Sequence, residues 1–449
     1  MADAGREIIM SRKDTALKYF EQYKDYTDAR VSGGIESFRK GFVNFKSADG
    51  SDFTVELKQK NHEFRHGANI FLLGEFGDGD KEKEYRKKFA ECFNLATLPF
   101  YWNSLEPKEG EHRYTEDSVP FYRRPPIDRC MDYCEQNGIE PKMHCLNYDC
   151  FAPDWAIDLP VDEYKKKLEK RFSELSERYG DRIRQWEVTN ETFKDVDKYH
   201  LSKFYFEDDY VEWSFKTAEK YFAKNHLIIN DYHLTDRNQI SNRCSYYMQI
   251  ERLLRQDVHL DSIGMQYHSF FPESEEEKAA KHRYNPVELY TLMDNYARLG
   301  KRLQLTEMTI PCYAGSEEDE YVQAEIIRNL YRIMFSHPAM EAIIYWNLVD
   351  GYAYSKTYSG RDSIGKFEDG ENVYRGGLLR FDMSEKPAFK VIKDLFHKEW
   401  HSEETVSSKN NVAETRVFYG DYTMTVHRDG KSYTKDITVS RDGHNIFTV

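Results

Sequence analysis

No run in this 449-residue sequence approaches eighteen consecutive apolar residues, so no membrane-spanning helix is expected. No block of like basic charge occurs, and the formal net charge is -14. That balance argues against nucleic acid or an anionic membrane as partner and suits a soluble protein with a neutral or basic ligand. The opening stretch MADAGREIIMSRKDT lacks the apolar segment of a secretory leader. The expectation is a cytoplasmic protein, or a mature or trimmed chain whose compartment stays open. Cysteine is sparse, with seven residues scattered along the chain. Cys130 and Cys134 stand four apart with no second pair at zinc-like spacing, so buried free thiols are expected. The sequence has no H-E-x-x-H, Walker or G-x-S-x-G motif, and G-E-F-G-D-G at 74–79 lacks the spacing of a dinucleotide fingerprint.

What is present is organised around two stretches, Arg184-Gln-Trp-Glu-Val-Thr-Asn-Glu191 and Arg302-Leu-Gln-Leu-Thr-Glu307. Each reads as a strand buried on both faces that delivers a glutamate at its C-terminal end. Eight such runs are predicted, at Gly67–Leu72, Leu95–Phe100, Glu140–Leu146, Ile183–Asn190, Leu227–Asp231, Ser262–Gln266, Arg302–Thr306 and Ala342–Trp346. Charged helical stretches such as Lys81–Cys92, Val161–Tyr179, Tyr210–Lys224 and Asn285–Leu299 lie between them. Eight alternating units predict an α/β fold, a (β/α)₈ TIM barrel, with functional residues at the C-terminal ends of the strands. A lone strand-end glutamate is most often a salt-bridge partner. Two facing one pocket fit glycoside hydrolysis, in which one carboxyl protonates the leaving oxygen and the other attacks the sugar or activates water. Aromatic residues make up 15% of the chain, which fits a sugar-binding cleft but equally fits a core.

Outside the barrel, Met10–Tyr26 reads as an amphipathic helix ending before Gly33 and Gly34, and residues 39–58 read as a β-hairpin around Asp49-Gly50. A helix is expected at Ala388–Phe396, then a polar linker near 402–411, then about four short strands over 412–449. Four short strands make a poor independent unit. The hairpin and the tail are therefore expected to join in one small β accessory domain built from both chain ends. The predicted division is 1–60, 61–400 and 401–449, with structural packing as the expected role of the tail.

From about His62 to Phe396 the chain resembles family 10 glycoside hydrolases, the retaining β-xylanases. Trp186-Glu-Val-Thr-Asn190-Glu191 is similar to the family's W-D-V-V-N-E segment, and Thr306-Glu307 to the start of T-E-L-D. Asn230-Asp-Tyr232 stands where the family has N-D-Y-N, and Gly264-Met-Gln266-Tyr-His268 where it has G-M-Q-G-H. Trp346-Asn-Leu-Val-Asp350-Gly-Tyr-Ala-Tyr354 and Leu379-Arg-Phe-Asp382 with Glu385-Lys-Pro-Ala388 follow the closing segments. The resemblance implies Glu191 as general acid/base and Glu307 as nucleophile. It implies that Asn190 bonds the sugar 2-hydroxyl, that His268 tunes Glu307, and that His144, Tyr148, Gln266, Tyr232, Trp346 and Tyr354 line the cleft. It calls for no metal or organic cofactor, and for a β-linked polysaccharide or oligosaccharide as partner. Oligomeric state is left open.

The departures fall on the sugar-contacting shell. Phe93-Asn-Leu-Ala-Thr-Leu-Pro-Phe-Tyr-Trp102 lacks the Glu, Asn and Lys with which the family grips xylose before the cut, and Pro99, Phe100 and Tyr101 offer an apolar wall instead. Tyr148 and Asp149 replace a tryptophan and a histidine, Thr309 replaces the aspartate that partners the tuning histidine, and Tyr354 replaces a tryptophan. The expected substrate is β-1,4-xylan or a xylo-oligosaccharide. The alternatives are another β-linked plant glycan or glycoside on the same machinery, or a non-catalytic carbohydrate-binding protein on this fold.

Overall fold

The buried apolar runs become the wall of a closed barrel. In the computed structural model, which describes residues 11–77, 79–194, 196–232 and 241–449, eight parallel strands close on themselves. Two strands precede them, β1 (Lys40–Lys46) and β2 (Thr54–His62). The barrel strands are β3 (Arg65–Asn69), β4 (Leu95–Pro99), β5 (Glu140–His144), β6 (Gln185–Asn190), β7 (His226–Asp231), β8 (Ser262–His268), β9 (Arg302–Thr309) and β10 (Met340–Tyr345). Their order follows the sequence, with β10 closing on β3 through the register Ala342↔Arg65 to Tyr345↔Ala68. This is the (β/α)₈ barrel expected from the sequence. All six residues of β6 are buried, as are all but the first of β9, which is why these runs read as apolar on both faces.

The helices on the outside bury one stripe each. Val161–Tyr179 turns Tyr164, Leu168, Phe172 and Leu175 inward, spaced three or four apart, and leaves its charges in water. At the N-terminus the predicted single helix is three, Arg12–Ala16, Lys18–Gln22 and Lys24–Phe38, and Met10 lies outside the described residues. The third runs straight through Gly33 and Gly34 instead of ending there. It passes so close to the helix Glu317–Ser336 that a Cβ on Gly34 would lie 2.4 Å from the Ser336 carbonyl oxygen. The glycine serves helix packing, not chain reversal. The last barrel helix, Pro387–Asp394, lies where Ala388–Phe396 was expected and continues as one wider turn to Glu399.

Both chain ends build one β unit, as expected, but its wiring differs. The tail supplies β11 (Glu403–Ser407), β12 (Val412–Phe418), β13 (Gly420–Arg428), β14 (Lys431–Val439) and β15 (Ile446–Thr448). The sheets run β12-β1-β15 and β11-β2-β13-β14. β1 and β2 therefore do not form a hairpin with each other. The turn at Asp49-Gly50 carries the chain from one sheet to the other. Val43 and Phe45 of β1 meet Val55 and Leu57 of β2 across a shared core with Val417, Met424 and Val426. The stretch expected as a polar linker contains β11, an edge strand with only Val406 turned partly inward. The seven cysteines are free, six of them buried and Cys150 half-buried.

Candidate active site

The C-terminal ends of the barrel strands surround a cleft of about 1390 Å³. All ten residues singled out in the sequence line it: His144, Tyr148, Asn190, Glu191, Tyr232, Gln266, His268, Glu307, Trp346 and Tyr354. Their positions within it differ. Tyr354 stands exposed at the rim, whereas Asn190, Gln266 and Glu307 are buried in the floor.

Strand geometry brings the two glutamates into one network. Glu307 belongs to β9, and a register slip between Met265 and Gln266 sets Gln266 opposite Glu307. Glu191 follows β6 at φ 51°, a left-handed conformation uncommon outside glycine, and its N–H donates to the Asn230 carbonyl at 3.1 Å. Asn230 Nδ2 donates to Glu307 Oε1 at 2.9 Å and to Asn190 Oδ1 at 2.8 Å, while its own Oδ1 accepts from Thr306 Oγ1 at 2.6 Å. Gln266 Nε2 donates to Glu191 Oε1 at 3.0 Å and approaches Asn190 Oδ1 at 3.3 Å. Gly264 gives Asn230 its room, since a Cβ there would lie 2.5 Å from Asn230 Oδ1. With Oδ1 of Asn190 taken by two donors, its Nδ2 is the group left to face a ligand.

Each carboxylate has further partners. His268 Nε2 lies 3.1 Å from Glu307 Oε2, and its Nδ1 lies 3.0 Å from Thr309 Oγ1. The threonine thus takes the place of a charged partner with a neutral one. Tyr148 donates its hydroxyl to Glu191 Oε2 at 2.6 Å, and Lys194 forms an ion pair with the same oxygen. His144 is engaged on both nitrogens, by Glu187 at Nδ1 and by the Tyr101 hydroxyl at Nε2, 3.2 Å away. It braces the wall of the cleft. Asp149 turns away from the cleft and accepts the Ser202 N–H and hydroxyl, both at 2.6 Å.

Burial dominates the electrostatics of the surroundings. It lowers the pKa of Lys194, which lies among the rings of Tyr199, Tyr232 and Tyr148 at 4.9, 5.1 and 5.5 Å. It raises Asp231 to about 6, although that carboxyl accepts from Thr192 and Tyr232. Burial also opposes ionisation of Glu187, but Lys142 and His144 prevail and hold it below the usual carboxylate range. Among the described residues no group of three or more His, Cys, Asp or Glu is placed to hold a metal ion.

Several cleft residues carry no sequence signal strong enough to find them. Lys194 is three residues beyond Glu191, and Arg123 and Arg124 come from the long connection after β4. Phe71 and Phe151 complete an aromatic wall with Tyr101 and Trp346, with Phe71–Trp346 centroids 5.2 Å apart and Tyr101–Phe151 4.4 Å. Asn230 lies in the Asn230-Asp-Tyr232 segment, but its bonds to Glu307 and Asn190 arise only in the folded chain.

The family model described as glycosyl hydrolase family 10 matches residues 79–395. Endo-1,4-beta-xylanase B of Thermotoga neapolitana is 25% identical over 299 residues, 65% of this chain and 78% of that protein. Anti-sigma-I factor RsgI6 of Acetivibrio thermocellus is 22% identical over 431 residues, 92% of this chain but 48% of that protein. Endo-1,4-beta-xylanase 2 of Arabidopsis thaliana is matched over 29% of its length, so the chain spans well under two thirds of some of these relatives. Among solved structures, xylanase 10B from Thermotoga petrophila RKU-1 in complex with xylobiose superimposes with a TM-score of 0.58 at 22% identity, covering 75% of this chain and 95% of that one. Xylanase 10B from Thermotoga maritima gives 0.57 at 21% identity, with 82% and 97% covered. At these identities the structural likeness speaks for the fold.

Proposed function

Since the chain belongs to glycosyl hydrolase family 10, we propose that it is a retaining β-glycoside hydrolase acting on β-1,4-xylan or xylo-oligosaccharides through Glu307 and Glu191. The observation that carries this reading is the bridge made by Asn230 and Gln266, which ties carboxylates from two strands, together with Asn190, into one cleft.

In this mechanism Glu307 attacks the anomeric carbon and the bond to the leaving oxygen breaks. Glu191 gives its proton to that oxygen. Glu191, now a carboxylate, takes a proton from water, and the hydroxide adds to the anomeric carbon as the Glu307 ester bond breaks. Asn230 and His268 orient Glu307 and disperse its charge before attack. Tyr148 and Gln266 fix the Glu191 carboxyl, one on each oxygen. Asn190 Nδ2 donates to the hydroxyl beside the reacting carbon, a bond that strengthens as the oxocarbenium ion develops. Trp346, Tyr101 and Phe71 supply apolar faces for sugar rings.

The test is release of nitrophenol from aryl β-glycosides, with the xyloside, xylobioside, glucoside, galactoside and arabinoside run beside Glu307→Ala. Release from the xylobioside that disappears in the variant supports the reading. Release from another sugar alone keeps the mechanism and moves the substrate to a different β-linked glycan. Hydrolysis unchanged in Glu307→Ala would overturn the assignment. A protein that only binds glycan would be silent on every substrate.

A further inference from the structure

The cleft carries a charge opposite to that of the molecule around it. Among the described residues six Lys or Arg line it against four glutamates, in a chain of net charge -14. Lys194 is paired with Glu191. Arg124 has no such partner and lies among aromatic rings. Its guanidinium lies over the Tyr101 ring at 3.9 Å, with Phe71 at 5.4 Å and Phe151 at 5.7 Å. Among the described residues no carboxylate pairs with it, and its side chain makes one hydrogen bond, from Nη1 to the Arg123 carbonyl at 2.8 Å.

Arg124 is half-buried, and three other arginines withdrawn from water have their forks filled. Arg12 meets Glu276 and Asp319, Arg39 spans the carbonyls of Phe335, His337 and Met340, and Arg171 spans those of Leu146, Phe100 and Cys145. Arg124 alone of these four holds its fork open on a cleft wall. Burial lowers its pKa to about 10, so it stays charged at neutral pH. A guanidinium partly withdrawn from water without an anion is unfavourable, and a planar carboxylate is the partner that matches its paired N–H groups. The aromatic faces beside it suit a sugar ring.

We propose that Arg124 receives the carboxylate of a uronic acid, and that the preferred substrate is an acidic β-linked glycan. This rests on the glycosidase reading of the same cleft. The substrate's uronate would lie against the Tyr101–Phe151 wall with its carboxylate on the Arg124 fork. Arg124 acts there as a specificity-determining residue and takes no part in bond breaking.

The experiment uses the full chain carrying Glu307→Gln, which holds substrate without turning it over. Isothermal titration compares xylotriose, a xylotriose bearing one glucuronate, and the methyl ester of that glucuronate. The acidic sugar is expected to bind at least about ten-fold tighter than either neutral one, with the preference falling as salt rises. Adding Arg124→Gln should shrink the preference to within about three-fold, and Arg124→Lys should restore part of it. Equal affinity for the three sugars, no binding of any of them, or a preference unchanged by Arg124→Gln would overturn the proposal. If Arg124→Gln does not fold, the methyl-ester comparison on the Arg124 protein decides alone. Nitrophenol release without an acidic preference would sink this inference only, and an acidic preference without hydrolysis would sink only the hydrolase reading.

Discussion

Lys194 forms an ion pair with Glu191, the carboxyl proposed to give up a proton. An ammonium beside a carboxyl favours its ionised form, which opposes the work of a general acid. Burial also lowers the pKa of Lys194, so part of that opposition is relieved by the site itself. Replacing Lys194 with methionine keeps the apolar stem among Tyr148, Tyr199 and Tyr232 and removes the charge. The alkaline limb of the kcat/KM profile on the aryl xylobioside should then move up by about one pH unit or more. An alkaline limb that stays in place would show that Lys194 leaves Glu191 before the proton moves.

Asn230 is the shared support of the site, bonded to Glu307, Asn190 and Thr306. Asn230→Ala leaves Glu307 with His268 as its remaining partner among the described residues, and leaves the Asn190 oxygen with only the longer bond from Gln266. A hydrogen bond to a charged group contributes about 1.5–3 kcal/mol, so kcat/KM should fall roughly 10- to 100-fold. Because the loss lies in orientation, kcat should carry more of it than KM. A loss confined to KM would make Asn230 a ligand-contacting residue instead.

Glu191→Gln separates the proton donor from the nucleophile. General acid catalysis contributes roughly 10²- to 10⁴-fold, and a leaving group that departs readily as an anion needs little of it. The variant should lose about that factor on xylo-oligosaccharides and far less of its first, dinitrophenolate-releasing step on a dinitrophenyl glycoside. A pre-steady-state burst followed by slow turnover would mark the trapped glycosyl-enzyme, because no base remains to activate water. Equal losses on both substrates would remove Glu191 from the donor role.

Much of the barrel is legible in the sequence because burial on both faces leaves few choices. The runs ending at Asn190 and Glu307 hold mostly apolar or β-branched residues between their polar ends, with Glu187 and Gln304 as buried polar exceptions, and Val161–Tyr179 shows its helical stripe residue by residue. The β unit is less legible. Asp49-Gly50 announces a turn, but which sheet each flanking strand joins depends on its pairing with Val417 or Met424, about 370 residues away. β11 escapes notice because an edge strand with one half-buried side chain has no alternation to detect. In the cleft, residues delivered by strand ends announce themselves through their neighbours. Lys194 and Arg124 do not, since a cation in a loop reads as solvated until the tertiary fold packs Tyr148 and Tyr232 around the one and Tyr101 beneath the other.

At the opposite, N-terminal end of the barrel, Glu341 opens β10 and gathers the starts of three other strands. It accepts Gln304 Nε2 at 2.8 Å, pairs with His226 at 3.0 Å, bonds the Ser262 hydroxyl, and lies 3.6 Å from Arg302. Burial opposes its ionisation, but His226, Gln304 and Ser262 prevail and bring its pKa from 4.5 to about 2. The folded state therefore binds this proton more weakly than the unfolded chain does. The stabilisation is fully present above about pH 4.5 and is lost as pH falls towards 2, amounting to about 3 kcal/mol. Glu341→Gln, compared with the wild type by urea unfolding at pH 7, 5 and 3, should be destabilised about equally at pH 7 and 5 and less than half as much at pH 3. Its kcat on the aryl xylobioside should be unchanged, because the residue lies at the far end of the barrel from Glu191 and Glu307. A stability difference that is the same at all three pH values would mean that Glu341 contributes by packing and neutral hydrogen bonds, not by its charge.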